Sequence, residues 1–292
     1  MTKTNLPISI PARIQKVGGQ LFIENTNISF RDLSAWWDND AEKDEVKSAT
    51  GISKALAKSS FTKLPALPKE NEVRNKIILD LGCGYGRTLI PLAKYHPKLA
   101  IGIDISSVML SKCLSYAEGA RCKKLVLIHS GFPPIPLKDG SIDLIYSCAV
   151  LLHLTKEQIP SLMREMIRIL KPGGKIILQS SFPNSLSIKG LSNWLPSKLK
   201  SQLTGEEIIP GMPKHYSRWE LEKTLRSFGL SWIIKPRDYE LIPTNINRFG
   251  LPCRGQLKKI NTWFEDRISD KQNLIINSFL PMFFDVELTK KR

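Results

Sequence analysis

The chain has 292 residues, 42% hydrophobic and 24% charged, the balance of a globular protein rather than a disordered, fibrous or disulfide-scaffolded one. Lys and Arg number 43 against 27 Asp and Glu, and the resulting +16 permits anionic partners without saying anything about fold. Five cysteines, Cys83, Cys113, Cys122, Cys148 and Cys253, contain no CxxC pair, which argues against both a zinc site and a disulfide framework. No Asp/His cluster suggests a metal. Pro7 and Pro11 interrupt the only candidate signal core, and the longest uncharged apolar run, about Leu144 to Thr155, is too short to span a bilayer. A cytoplasmic protein is expected.

Residues 1–70 read as an N-terminal extension, with 10 basic and 8 acidic side chains. Within it, 13–25 suggest a hairpin around Gly18-Gly19, 31–60 look helical, and Pro65 and Pro68 make a linker. Residues 71–180, with 15 basic and 8 acidic side chains, alternate short apolar runs with helical stretches. The runs are 77–81, 99–103, 125–128, 142–146 and 175–178. They are near-continuous rather than alternating, as in parallel strands covered on both faces. Helices are expected at 88–95, 107–118 and 156–170. The last opens on Thr155-x-x-Gln158, a capping-box pattern, and stops at Lys171-Pro-Gly-Gly174. This repetition predicts a doubly wound α/β sheet with right-handed crossovers.

Residues 181–292 carry 18 basic and 11 acidic side chains. They contain a helix near 218–228 closed by Gly229, a strand at 230–234 and two amphipathic helices over 254–280. A last strand at 283–288 alternates Phe284, Val286 and Leu288 with Asp285 and Glu287. Trp36, Trp37, Trp194, Trp219, Trp232 and Trp263 all lie in the two flanks, so aromatic walls can be added around a generic middle. The flanks are read as capping segments, the C-terminal one completing the sheet and supplying a lid.

The chemistry-bearing motif follows the first core strand: Asp80-Leu-Gly82-Cys83-Gly84-Tyr85-Gly86-Arg87. Glycines at a strand-to-helix turn let the backbone approach a ligand closely. A dinucleotide fingerprint would place its third glycine at position 87, where Arg87 stands; the spacing here is GxGxG. Asp104 ends the second strand, 24 residues after Asp80, where a carboxylate can accept both hydroxyl hydrogens of a ribose. Taken alone, Asp104 is equally compatible with NAD.

With these residues the chain resembles the class I S-adenosylmethionine-dependent methyltransferases, in the broad type 11 group that includes ubiquinone/menaquinone-biosynthesis methyltransferases. The resemblance is carried by ILDLGCGYGR (78–87), IGIDIS (101–106), GSIDLIYSCAVLLHL (140–154) and RILKPGGKIIL (168–178), and more weakly by 215–230. It implies a Rossmann-like seven-stranded sheet, mostly parallel with an antiparallel last strand, and S-adenosyl-L-methionine as cofactor. Residue by residue, it implies that Asp80 and the backbone of Gly82, Cys83, Gly84, Tyr85 and Gly86 hold the methionine moiety. It places Asp104 at the ribose, Ile105 and Met109 on adenine, and Gly131-Phe132 at the adenine edge. Ser147 would offer its carbonyl to the amino group. The family commonly has an acid after the third strand; here Gly131 stands in its place, leaving backbone groups or Ser130 for that subsite.

His153 is the candidate general base, because the segment after the fourth strand lines the substrate side in this family. It is alternatively a hydrogen-bonded structural histidine at a helix entry. Cys148 reads as a small thiol, not a nucleophile. Ser147-Cys-Ala-Val150 lacks the Pro-Pro-aromatic pattern of base-amino methylases, and no glutamate pair follows to hold a guanidinium. The basic clusters, such as Arg121/Lys123/Lys124 and Lys290-Lys-Arg292, fall short of a nucleic-acid arm. A small organic or lipid-like acceptor is therefore the leading expectation. RNA or another polyanion as acceptor, and a catalytically silent cofactor-binding subunit, are the alternatives.

Overall fold

The structure, a computed structural model, describes residues 7, 12–17, 20–25, 35, 38, 41, 67–154, 157–187, 216–239, 279 and 281–291. Its strands are β1 (Ala12–Val17), β2 (Gln20–Asn25), β3 (Ile77–Leu81), β4 (Leu99–Asp104), β5 (Leu125–His129), β6 (Ile142–Cys148), β7 (Leu170–Pro183), β8 (Ser231–Tyr239) and β9 (Pro281–Thr289). The helices are α1 (Glu70–Val73), α2 (Leu89–Ala93), α3 (Ser107–Gly119), α4 (Gln158–Ile169) and α5 (Arg218–Arg226), with a 3-10 turn at Leu151–His153. Strand order is β1-β2-β5-β4-β3-β6-β7-β9-β8. Strands β3 to β9 make the expected seven-stranded sheet. The predicted N-terminal hairpin forms, with Val17 opposite Gln20, and adds two strands by pairing β2 parallel to β5.

The chain divides into two compact units. One holds residues 1–148, 160–177 and 289–292; the other holds 149–159 and 178–288. In the first unit, β5, β4, β3 and β6 are parallel neighbours, with Ile101 opposite Val126 and Leu79 opposite both Ile101 and Ile145. Every residue of β4 and β5 is buried, which explains the unbroken apolar runs. Helix α3 buries Leu110, Cys113 and Ala117, spaced to share one face. Lys290 Nζ caps the end of α4 by donating to the carbonyls of Ile167 and Leu170 at 2.8 and 2.7 Å. The Lys171-Pro-Gly-Gly174 stretch, expected as a stop, does end α4 but lies inside β7. There the Gly173 amide donates to Lys290 O, and the Lys290 amide to Gly174 O.

In the second unit, β9 is antiparallel to its neighbours, as its side-chain partners show. Arg237 meets Asp285 at 3.0 Å and Lys235 meets Glu287, so rising numbers on β8 meet falling numbers on β9. The Ser180 amide donates to Asp285 Oδ1 and Asn184 Nδ2 to Pro281 O, reversing the order along β7 as well. The predicted alternation follows: Phe284, Val286 and Leu288 are fully buried, while Asp285 and Glu287 take the ion pairs. Helix α5 opens with a capping box between Ser217 and Glu220 and gives way to Gly229 at φ 65°. The proposed amphipathic helices over 254–280 and the Thr155 cap fall outside the described residues, apart from Phe279.

Candidate functional site

The carboxyl ends of β3 and β4 bring the two predicted acids onto adjacent strands of the first unit, Asp80 lying opposite Gly102 and two residues short of Asp104. Position 102 is closely packed. A Cβ there would stand 2.5 Å from Leu89 Cδ2 and 2.8 Å from Cys83 Sγ, so any larger residue would push these buried side chains aside beneath the turn after β3. The turn itself has Gly82, Gly84 and Gly86 at φ 74°, 52° and 88°. Its amides are largely spent within the protein. Gly82 N and Cys83 N both donate to Ile103 O, Gly86 N donates to Cys83 O, and Gly84 N donates to Asp104 Oδ2 at 2.6 Å. The turn is therefore a closely folded wall, offering few amides of its own to a ligand.

Gly86 serves packing: a Cβ there would approach Cys113 Sγ to 2.7 Å and Ile90 Cδ1 to 2.9 Å. Gly84 faces Met109 instead, and a Cβ would reach Met109 Sδ at 3.5 Å, filling the gap between turn and helix α3. A glycine at this point keeps that gap open.

Asp80 is 1% exposed, and the Thr88 hydroxyl donates to its Oδ2. Its Oδ1 has no hydrogen-bond partner among the described residues. Burial pushes this carboxyl up to about 7; the Thr88 bond opposes the shift and the neighbouring Asp104 adds to it. A buried carboxylate oxygen without a donor is costly unless a cation or proton fills the place. Asp104 is 7% exposed and better satisfied, accepting from Ser106 N at 2.9 Å as well as from Gly84 N. Burial raises its carboxyl too, against the pull of those amides and of His129.

The remaining adenine-side candidates share the neighbouring strand ends. Ser130 N donates to Asp104 O, and the Ser130 hydroxyl donates to Gly131 O at 2.8 Å. Ile105 and Met109 are half-buried, as is Phe132. The Phe132 loop is held from α4: Arg168 donates to the carbonyls of Ile135 and Leu137 at 2.9 Å each, and Glu165 accepts from Ile135 N at 2.9 Å. Ser147 is fully buried and donates its hydroxyl to Leu81 O at 2.9 Å, tying β6 to the end of β3.

Three residues matter here that the motif reading left without a role. Thr88 orients Asp80; a hydroxyl at the entry of α2 was visible but unassigned. His129, register-paired with Asp104, brings Nε2 to within 3.0 Å of Ile105 O and so braces the loop beyond Asp104. Asp38, from the N-terminal extension, reaches helix α3 across a gap no local pattern could reveal.

His153 belongs to the second unit. It ends the 3-10 turn, half-buried, with its amide donating to Val150 O at 3.0 Å. In the same unit Tyr216 packs edge-on against Phe182 at 5.4 Å and is buried, whereas Trp219 is 52% exposed beside Phe279. Among the described residues, no group of three His, Cys, Asp or Glu side chains could hold a metal ion, and Cys83, Cys113, Cys122 and Cys148 form no disulfide. No described helix is long and apolar enough to cross a membrane.

Residues 78–174, a third of the chain, match the family model described as "Methyltransferase domain". The phosphoethanolamine N-methyltransferase of Triticum aestivum is 33% identical over 102 residues, 35% of this chain and 19% of that protein. The ajmaline N-methyltransferase of Rauvolfia serpentina is 31% identical over 138 residues, 47% of this chain and 44% of that protein. The chain thus spans less than half the length of these curated relatives. Among solved structures, the methyltransferase crystallised with the Haloferax volcanii Trm112 activator covers 89% of this chain and 98% of its own, with a TM-score of 0.52 at 17% identity. Phosphoethanolamine N-methyltransferase 2 of Haemonchus contortus covers 87% and 60%, with a TM-score of 0.52 at 14% identity. These two structures share the fold. Over residues 78–174 the chain is thus similar to a methyltransferase domain.

Proposed function

We propose that the chain is an S-adenosylmethionine-dependent methyltransferase acting on a small organic acceptor. The observation that carries this reading is Asp80: a buried carboxylate with one oxygen lacking a donor, beside a glycine turn and one strand from a second buried acid. That oxygen suits the α-ammonium of the cofactor. The second lone pairs of Asp104, whose orientation is set by Gly84 N and Ser106 N, suit two ribose hydroxyls. Met109 and Ile105 are assigned to the adenine faces, the Ser130 oxygen to its amino group, and the Ser147 carbonyl to the ammonium. When bound, the cofactor supplies an activated sulfonium methyl, so the chain's own residues chiefly align an acceptor in line with it. Such alignment supplies roughly 7–11 kcal/mol of barrier reduction.

His153 is assigned the proton of oxygen or nitrogen acceptors. The relatives named above are called methyltransferases of phosphoethanolamine and ajmaline, both small molecules, which supports the small-acceptor reading over a polyanion.

The test is a calorimetric titration with S-adenosylhomocysteine, repeated for Asp104→Ala. Removing a charged acceptor of two hydroxyls should weaken binding about 10–100-fold. Equal affinity of variant and wild type overturns the site assignment. Turnover that collapses steeply with added salt would move the acceptor to the polyanion class.

A further inference from the structure

We infer that Asp38 is a positioning residue for the adenosine half of the cofactor, clasping the loop Asp104-Ile105-Ser106 and the first turn of α3 from the N-terminal extension. The inference rests on the cofactor reading above and concerns a residue that reading does not use.

Asp38 Oδ1 accepts from the Ser106 hydroxyl at 2.6 Å and from Val108 N at 3.2 Å, and its Oδ2 lies 3.5 Å from the Ser107 hydroxyl. Ser106 is the N-cap of α3, fully buried, and its oxygen also accepts from Met109 N at 3.1 Å. A hydroxyl has one proton. With that proton held by Asp38, the Ser106 oxygen is left to cap the helix, and the Ser106 amide is left to orient Asp104. The first turn of α3 is thus capped twice, once by its own serine and once by an acid 70 residues upstream of Val108. The negative charge also suits the positive end of the helix.

A second anchor follows one turn later, where Lys112 Nζ donates to Ala41 O. Val108 and Lys112 are four residues apart and share a face of α3, while Asp38 and Ala41 are both helical and three apart. The two segments therefore meet along matching faces. Burial follows the contact: Ala35 is exposed, Asp38 half-buried and Ala41 buried. The loop so held carries Asp104, Ile105 and Met109, the three side chains assigned to ribose and adenine. The methionine half rests on Asp80 and the turn after β3, which Asp38 does not touch.

The test uses two probes on the full chain: S-adenosylhomocysteine, and 5′-methylthioadenosine, which lacks the amino-acid half. Asp38→Ala should weaken both by about five- to tenfold, and should speed amide exchange at Val108 and Met109. Asp38→Asn, which keeps an acceptor oxygen for Ser106 and Val108, should restore binding to within about twofold. Asp80→Asn should behave oppositely, losing S-adenosylhomocysteine while sparing 5′-methylthioadenosine. If Asp38→Ala does not fold, Ser106→Ala removes the same bridge and should reproduce the loss. The inference is overturned if Asp38→Ala binds both probes as the wild type does, or if Asp38→Asn loses as much as Asp38→Ala. A wild type that binds neither probe defeats the cofactor reading itself, a separate outcome.

Discussion

Asp80→Asn probes a buried carboxyl with one unpartnered oxygen. Its pKa rises from 3.8 to about 7, chiefly through burial, so the folded state keeps its proton to near neutrality while the unfolded chain loses it near 3.8. Unfolding therefore releases a proton between those values, and stability falls as pH rises through the window by about 1.4 kcal/mol per unit. About one and a half of those units lie between pH 5.5 and the folded value. The wild type should accordingly lose about 2 kcal/mol from this group between pH 5.5 and 8. Asparagine carries no charge and should lose none of it. Urea midpoints of both proteins, free of ligand, at the two pH values measure the difference directly. The variant's advantage should be about 2 kcal/mol larger at pH 8. A difference that is the same at both pH values, or larger at 5.5, refutes the argument. The cofactor side has the opposite sign. An ammonium facing Asp80 favours the ionised form, so S-adenosylhomocysteine should bind the wild type more tightly at pH 8 than at 5.5, with proton release on binding below about 7.

Two further substitutions separate packing from chemistry. Gly86→Ala places a Cβ 2.7 Å from Cys113 Sγ at φ 88°, and should cost about 2–5 kcal/mol of stability, read as a lowered urea midpoint; a cost below about 1 kcal/mol would show that the turn can shift freely. His153→Asn should lower kcat by about 10²–10⁴ for an oxygen or nitrogen acceptor while leaving S-adenosylhomocysteine affinity unchanged. Unchanged kcat would remove His153 from the chemistry.

The parallel core was legible because buried parallel strands write themselves as short apolar runs, and glycine turns and capping residues mark where they end; the count of seven strands came with the family resemblance. The last strand was equally plain: its alternation of Phe284, Val286 and Leu288 with two acids is what one buried and one ion-paired face requires. Helix ends were less so. The expected 88–95 helix shortens to Leu89–Ala93, and the Pro-Gly-Gly stretch, besides stopping α4, also forms part of β7, because pairing with the segment at Lys290 supplies bonds no local pattern encodes. In the candidate site, the motif located Asp80 and Asp104 but not the state of their oxygens. That depends on which donors the fold delivers: Gly84 N to Asp104, none to Asp80 Oδ1. It likewise brought the backbone of the glycine turn close to a ligand, whereas most of the turn's amides are bonded to Ile103, Cys83 and Asp104. Asp38 was invisible for the simplest reason, since an acid in a charged helical stretch looks like solvated surface until the chain brings Ser106 to it.

The central claim is methyl transfer, and its most direct test is to incubate the protein with methyl-labelled S-adenosylmethionine and cell extract, then separate small-molecule, lipid, RNA and protein fractions. The account predicts label in the small-molecule fraction with the wild type and, at sub-saturating cofactor, about 10–100-fold less with Asp104→Ala. Label in the RNA fraction alone, or binding of the cofactor with no label in any fraction, would contradict it.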